Sequence, residues 1–189
     1  DQRRDKRIIL LNDGFIKSHL EGERTYGIFS GGYFSKFITL DIDCEGHAET
    51  ARWAVYKIID ILTTEHNIMR NDIHVSTSGG KGYHVDLFFD RPVLVEDLRK
   101  FYTAVVTEVG PLPVGKIEFR PDWSSGVKLP LGVHQKTGTR CWFVDRDTLE
   151  PIESFDYILD IKPMPAEVIP EKDFELTDDQ AAEFEEIVR

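Results

Sequence analysis

Two carboxylates, Asp41 and Asp43, stand on one short apolar stretch, Phe37-Ile-Thr-Leu-Asp-Ile-Asp43. A β-strand turns successive side chains to opposite faces, so the two would point the same way, roughly 6.6 Å apart along the backbone. Ile38, Leu40 and Ile42 alternate with them and would fall on the other face, toward a core. Carboxylates placed side by side repel unless a cation lies between them. Hard divalent ions such as Mg²⁺ take oxygen ligands of this kind, and paired metals drive phosphoryl transfer. The plainer reading of the same residues is two exposed aspartates near a strand end.

A second segment with chemistry in it is Ser78-Gly-Gly-Lys-Gly-Tyr-His84. Its glycines, Gly79 and Gly82 among them, let backbone approach a ligand closely and turn N–H groups toward an anion. Ser78 adds a hydroxyl, Lys81 a point charge and His84 a ring at the start of the next strand. A triphosphate is the natural occupant. The segment is not a Walker A loop, which needs Gly-Lys-Ser/Thr opening a helix. An ordinary hairpin turn is the competing reading.

The third segment runs from Ile117-Glu118-Phe-Arg-Pro121 to Lys128-Leu-Pro-Leu-Gly-Val-His134-Gln-Lys136-Thr-Gly138. Glu118, between two apolar strand residues, is a candidate third carboxylate beside Asp41 and Asp43, and Asp122 competes with it. Lys128 and His134 offer phosphate donors on either side of a Pro/Gly bend.

The elements that must position these groups are legible as periodicities. Tyr26–Phe29, a glycine turn and Tyr33–Asp43 read as a β-hairpin. Residues 47–66 carry apolar positions at helical spacing (Ala51, Val55, Ile58, Ile59, Leu62), and 94–109 do the same until Pro111 ends the helix. Ile73–Ser76 and Tyr83–Phe89 read as strands around the glycine turn, and 116–120, 127–129 and 140–144 as further strands. A helical lead-in before residue 22, a short helical stretch near 155–161 and a last helix complete the pattern. Thr177 and Gln180 form a capping box for that last helix. Strands interleaved with two long helices predict an α+β domain, a mostly antiparallel sheet backed by helices.

With 189 residues the chain can bury a substantial core as one domain, placed at 1–150 with an acidic helical appendage at 151–189 packed on it. The net charge of −11 argues against a nucleic-acid partner until it is divided. Residues 150–189 hold 13 Asp and Glu against 3 Lys and Arg, which leaves the body almost neutral and able to carry a local basic face. Two cysteines, Cys44 and Cys141, have no zinc-ligand spacing, so no zinc is expected, and they fit a reducing, cytoplasmic setting. No apolar run approaches the roughly 18 residues of a membrane span, and no signal peptide is read ahead of the first strand. The first residue, Asp1, is read as the start of a domain from a longer parent protein, whose other domains are then expected partners.

In order, the series Asp-x-Asp, Ser-x-x-x-Gly-x-His, apolar-Glu and Lys-x-Pro-x-x-Val-His-x-Lys-Thr-Gly resembles the archaeo-eukaryotic primase superfamily over about residues 26–145. Within it the chain looks most like compact prokaryotic primase-polymerase domains of mobile-element, conflict-system and CRISPR-associated proteins. The resemblance implies an RRM-like catalytic core. It implies two Mg²⁺ or Mn²⁺ ions on Asp41, Asp43 and Glu118, with a dNTP or NTP held by Ser78, Gly79, Lys81, Gly82, His84, Lys128 and His134. A DNA template and primer are the implied partners, which would associate the enzyme with the nucleoid when it acts. The family's frequent zinc module and helical accessory domain are not matched, so templated extension is expected and unprimed initiation depends on other segments.

Other residues carry two readings each. Tyr26 and Tyr33 are hairpin aromatics or base-stacking groups; Trp53 is read as core; Trp123 and Trp142 pack or stack on single-stranded template. His47, His66 and His74 are read as structural. Arg120 and Arg140 are phosphate contacts or solvated strand-edge cations. Two competing functions use the same residues: a metal-dependent phosphodiesterase or nuclease, and a catalytically silent nucleotide- or nucleic-acid-binding module.

Overall fold

A computed structural model of the chain describes residues 10–29, 32–44, 46–122, 124–170 and 175–188. Among these, the elements are α1 (Asp13–Glu21), β1 (Gly27–Ile28), β2 (Phe34–Asp43), α2 (Ala48–Thr64), β3 (His74–Thr77), β4 (Tyr83–Leu94), α3 (Val95–Val109), β5 (Lys116–Arg120), β6 (Val127–Lys128) and α4 (Asp178–Val188). The α+β expectation holds. Two antiparallel sheets form, one of four strands in the order β3-β4-β2-β5 and one of two, β1-β6.

The alternation in β2 does what its sequence dictates. Ile38, Leu40 and Ile42 are fully buried and share one core with Val75, Val85, Leu87, Ile117 and Phe119 of the other three strands. Ala51, Val55, Ile58 and Leu62 of α2, with Leu98, Phe101 and Val105 of α3, close the same core. Each of these Val, Leu, Ile and Phe side chains contributes about 1.5–3 kcal/mol of burial. With both helices on the apolar face, the opposite face of the sheet is left to polar side chains.

Three expectations are corrected. Tyr26–Phe29 does not fold back on β2 as a hairpin; β1 pairs with β6 instead, Gly27 opposite Lys128. Close approach explains it, because a Cβ at Gly27 would lie 2.7 Å from the Val127 carbonyl oxygen. The 140–144 segment makes isolated bridges rather than a strand, Ser76 with Phe143 and Val144 with Pro151. Trp53 is 47% exposed and not core.

The capping box forms reciprocally: the Thr177 N–H donates to Gln180 Oε1 at 3.0 Å and the Gln180 N–H to Thr177 Oγ1 at 3.3 Å. Helix α4 docks by Phe184 edge-on against Phe34, at 5.4 Å between ring centroids. Glu183 Oε1 accepts the Phe34 N–H at 3.0 Å. Residues 1–9, the start of the lead-in, lie outside the described residues, as does Trp123.

Candidate active site

Strand register builds the site. In β2, Asp41 stands opposite His84 of β4 on one side and opposite Glu118 of β5 on the other. Ser76 of β3 extends the same row beyond His84. Directly paired residues share a face, so one line of the sheet reads Ser76, His84, Asp41, Glu118. The next row toward the sheet interior is His74, Asp86, Thr39, Arg120, and Asp43 pairs with Lys116 on the other side.

This polar face opens into a cleft of about 610 Å³. Asp41, Asp43, Ser78, Lys81, Gly82, His84, Lys128 and His134 all line it, joined by Gly80, Gly126 and Lys136. Three segments distant in sequence are thus gathered around one space. Two residues named from the sequence do not line it: Gly79 turns inward, and Glu118 stands at the far side of Asp41.

The glycine turn is closed by the Ser78 N–H donating to the Gly82 carbonyl at 3.0 Å. Gly79 adopts φ +83°, and a Cβ there would lie 2.4 Å from His134 Cβ and 2.8 Å from Cys141 Sγ. Gly79 therefore serves packing between the turn and the 128–138 bend. Thr137 Oγ1 donates to the Gly79 carbonyl at 2.6 Å, and Lys128 Nζ donates to the Ser78 carbonyl. His134 Nδ1 lies 3.1 Å from Thr137 Oγ1.

A residue the sequence did not single out holds that bend in place. His19 of α1 is 2% exposed; its Nδ1 accepts the Tyr26 N–H at 3.1 Å and its Nε2 donates to the Pro130 carbonyl at 3.0 Å. Gly132 has no room for a Cβ because the His19 ring fills the space. The signal available in sequence was a lone histidine on a short helix, which names no partner. Tyr26 packs on Phe15 of the same helix, 5.1 Å between centroids, which is the packing role.

Electrostatics sort the acidic groups. Burial pushes the Asp41 carboxyl above its usual range; Glu118 and Asp43 push the same way, while Arg120 and Lys128 oppose them. His84 Nε2 lies 3.5 Å from Asp41 Oδ1. Burial first, then Lys128 and Arg120, hold the His84 ring down at about 4, so at neutral pH it is an uncharged donor and acceptor. Arg120 Nη2 lies 3.6 Å from Asp41 Oδ2 and donates to Glu118 Oε2 at 3.1 Å. Lys116 Nζ lies 3.0 Å from Glu118 Oε1. Asp122 is turned to the helical side, 3.0 Å from Arg99 of α3, and bonds its own turn through Ser124. Of the two competing carboxylates, Glu118 is the one that adjoins Asp41.

Arg140 leaves the site. Its Nη1 donates to the Leu20 and Leu131 carbonyls, and its guanidinium covers Trp142 and Phe155 at 5.4 and 5.0 Å. His66 pairs with Glu108 at 3.0 Å, and His74 packs among Phe88, Phe143 and Tyr157.

Among the described residues, no three His, Cys, Asp or Glu side chains form a ready-made metal cage. The donors nevertheless fit hard divalent ions. Asp41 and Asp43 put two carboxylates on the cleft wall, and Asp41 is crowded by like charge. Mg²⁺ commonly takes one or two carboxylates and fills its remaining positions with water and substrate phosphate oxygens.

A helix-backed antiparallel sheet whose free face pairs carboxylates with a glycine turn and a Lys/His bend is the core predicted for a primase-type nucleotidyltransferase. The chain belongs to the family described as "TOTE conflict system, Archaeo-Eukaryotic Primase domain", whose model matches residues 1–119. The matched stretch holds Asp41, Asp43, the Ser78–His84 turn and Glu118, and Lys128 and His134 follow it. A search of the curated proteins found no match. Among the described residues, no helix is long and apolar enough to cross a membrane.

Proposed function

We propose that the chain is a primase-polymerase catalytic domain that adds nucleotides to a primer, or to an initiating nucleotide, on a DNA template. The observation that carries this reading is that Asp41, Asp43 and His84 line one cleft with the Ser78 turn and Lys128, while Glu118 pairs with Asp41 from the next strand. Membership of the primase family supports it.

In the reaction the 3′-hydroxyl of the primer attacks the α-phosphorus of a nucleoside triphosphate, a phosphodiester bond forms and pyrophosphate leaves. Asp41 and Asp43, with Glu118 as third carboxylate, would hold two Mg²⁺ or Mn²⁺ ions, which when bound lower the pKa of the attacking hydroxyl and neutralise phosphate charge. The Ser78 hydroxyl and backbone N–H groups of Gly80 and Gly82, which line the cleft, would donate to phosphate oxygens. Lys128, Lys81 and Lys136 supply positive charge on the same wall. Uncharged His84 donates one further hydrogen bond without adding charge next to Asp41. Catalysis on this account is positioning and electrostatic stabilisation, with no protein nucleophile.

The test is a labelled primer-template incubated with the protein, dNTPs or NTPs, and Mg²⁺ or Mn²⁺. Lengthening that is lost in Asp41→Ala/Asp43→Ala is the expected result. Shortening of the strand would instead identify a nuclease. No change with active-site-dependent nucleotide binding would identify a silent binding module.

A further inference from the structure

We propose that Arg120 is a built-in counter-cation that competes with a divalent ion for Asp41 and Glu118. This rests on the metal-centre reading above and goes beyond it. Arg120 belongs to the row of Thr39, yet its side chain reaches along β5 to the neighbouring row, where Nη2 meets Glu118 Oε2 at 3.1 Å and Asp41 Oδ2 at 3.6 Å. Those two oxygens belong to the carboxylates that a third-ligand metal position requires. A guanidinium and a divalent ion cannot share them, because two cations at such separation repel strongly in a partly buried site.

The arrangement is also incompletely satisfied. Arg120 is 14% exposed at its side chain, Nη1 donates to the Phe119 carbonyl at 3.0 Å, and Nε is buried with no partner. A buried N–H without an acceptor is rare in a settled network. Moving the guanidinium off the carboxylates would release it to find one. The groups around it divide cleanly: Asp41 and Glu118 attract it, Asp43 adds a like charge beside Asp41, and Lys116 holds the other oxygen of Glu118 at 3.0 Å from an exposed position. The site therefore has two states. In one, Arg120 neutralises Asp41 and Glu118, and the chain holds only a cation bound through Asp43, the remaining Asp41 oxygen and substrate phosphates. In the other, Arg120 has swung away and Glu118 joins the metal ligands. Arg120 is a positioning residue on this account, setting when the third carboxylate becomes available.

Mn²⁺ binding to the full chain without nucleotide, followed by electron paramagnetic resonance, reads this directly. Arg120→Gln is expected to bind Mn²⁺ roughly tenfold tighter than the parent, since one competing charge is gone. Arg120→Lys, which keeps the charge, is expected to stay near the parent. Equal or weaker affinity in a folded Arg120→Gln chain overturns the proposal. In the unaltered protein, the Arg120 guanidinium resonances are expected to shift as Mg²⁺ is added, and a signal that does not move also overturns it, whether or not the variants fold. Asp41→Asn/Asp43→Asn separates the two levels: if it still binds Mn²⁺ as the parent does, the metal-centre reading fails, and if binding is lost while Arg120→Gln gains nothing, only the role of Arg120 fails.

Discussion

The Lys128 ammonium donates a hydrogen bond to the main-chain carbonyl of Ser78, 50 residues away in sequence. That contact and the bond from Thr137 to Gly79 join the glycine turn to the Lys/His bend, so the two cleft-lining segments hold a common position.

Replacing Lys128 with Met removes both this tie and the cation on the cleft wall. Hydrogen bonds to charged groups contribute about 1.5–3 kcal/mol, so nucleoside triphosphate affinity should drop about tenfold or more. Calorimetric titration with a triphosphate checks it, and inorganic tripolyphosphate should lose affinity in parallel. Unchanged affinity would remove Lys128 from the phosphate site.

Neighbouring glycines of the turn should respond in opposite ways to alanine. Gly79→Ala forces a Cβ into His134 and Cys141 at a φ of +83°, and should destabilise the fold by about 2 kcal/mol or more. Gly80 has open space where a Cβ would stand, and Gly80→Ala should fall within about 0.5 kcal/mol of the parent. Thermal melts of the two variants decide it.

Stability should depend on pH through two opposed sets of buried groups. Burial raises Asp86 from 3.8 to about 7, with Asp41 pushing the same way against the Thr39 hydroxyl that donates to it at 2.5 Å. Between those values the folded chain keeps a proton that the unfolded chain has released, so this group costs stability as pH rises from 4 to 7. His74 and His84 run the other way. Burial lowers both from 6.5 to about 4, so between those values the unfolded chain binds the extra protons and stability falls as pH falls. Asp86→Asn removes only the first contribution. It should be more stable than the parent at pH 8, by a few kcal/mol at most, and gain nothing at pH 4. Denaturant titrations across that range test it; an equal gain at both ends would show that Asp86 is not protonated in the fold.

The third carboxylate is settled by a pair of isosteric changes. Glu118→Gln should lower primer extension by roughly a hundredfold or more, the scale of removing a group that acts on the transition state. Asp122→Asn should keep activity within a few-fold and lose about 1 kcal/mol, because the Arg99 partner of the pair it breaks is exposed and the bonds from Ser124 to the retained amide oxygen persist. The opposite ranking in extension rates would transfer the role to Asp122.

Thr177→Ala should weaken α4 by about 1 kcal/mol through loss of the cap. Faster amide exchange over 178–188, with the sheet unchanged, is the expected signature.

How much of this was legible in advance depended on how local the cause was. Period-2 alternation around Asp41 and Asp43 specified their shared face, and the 3.6-residue spacing of Ala51, Val55, Ile58 and Leu62 specified the helix behind them. Thr177 and Gln180 announced their cap because both partners lie within one turn. Strand β1 has a non-local cause. Proximity in sequence pairs Tyr26–Phe29 with β2, whereas Gly27 permits the closer approach to Val127 that puts β1 beside Lys128.

Residue types and spacing thus determined that the chain carries a carboxylate pair, a glycine-rich turn bearing Ser, Lys and His, and a cationic bend, because those depend on side-chain chemistry and local period. Only the tertiary structure decided that Glu118 rather than Asp122 flanks Asp41, that Arg120 stands between two carboxylates, and that His19 clamps the bend. Those facts follow from strand register and long-range packing, which bring Asp41 to Glu118 and Arg120, and His19 to Pro130, from tens of residues away with no local mark of the pairing.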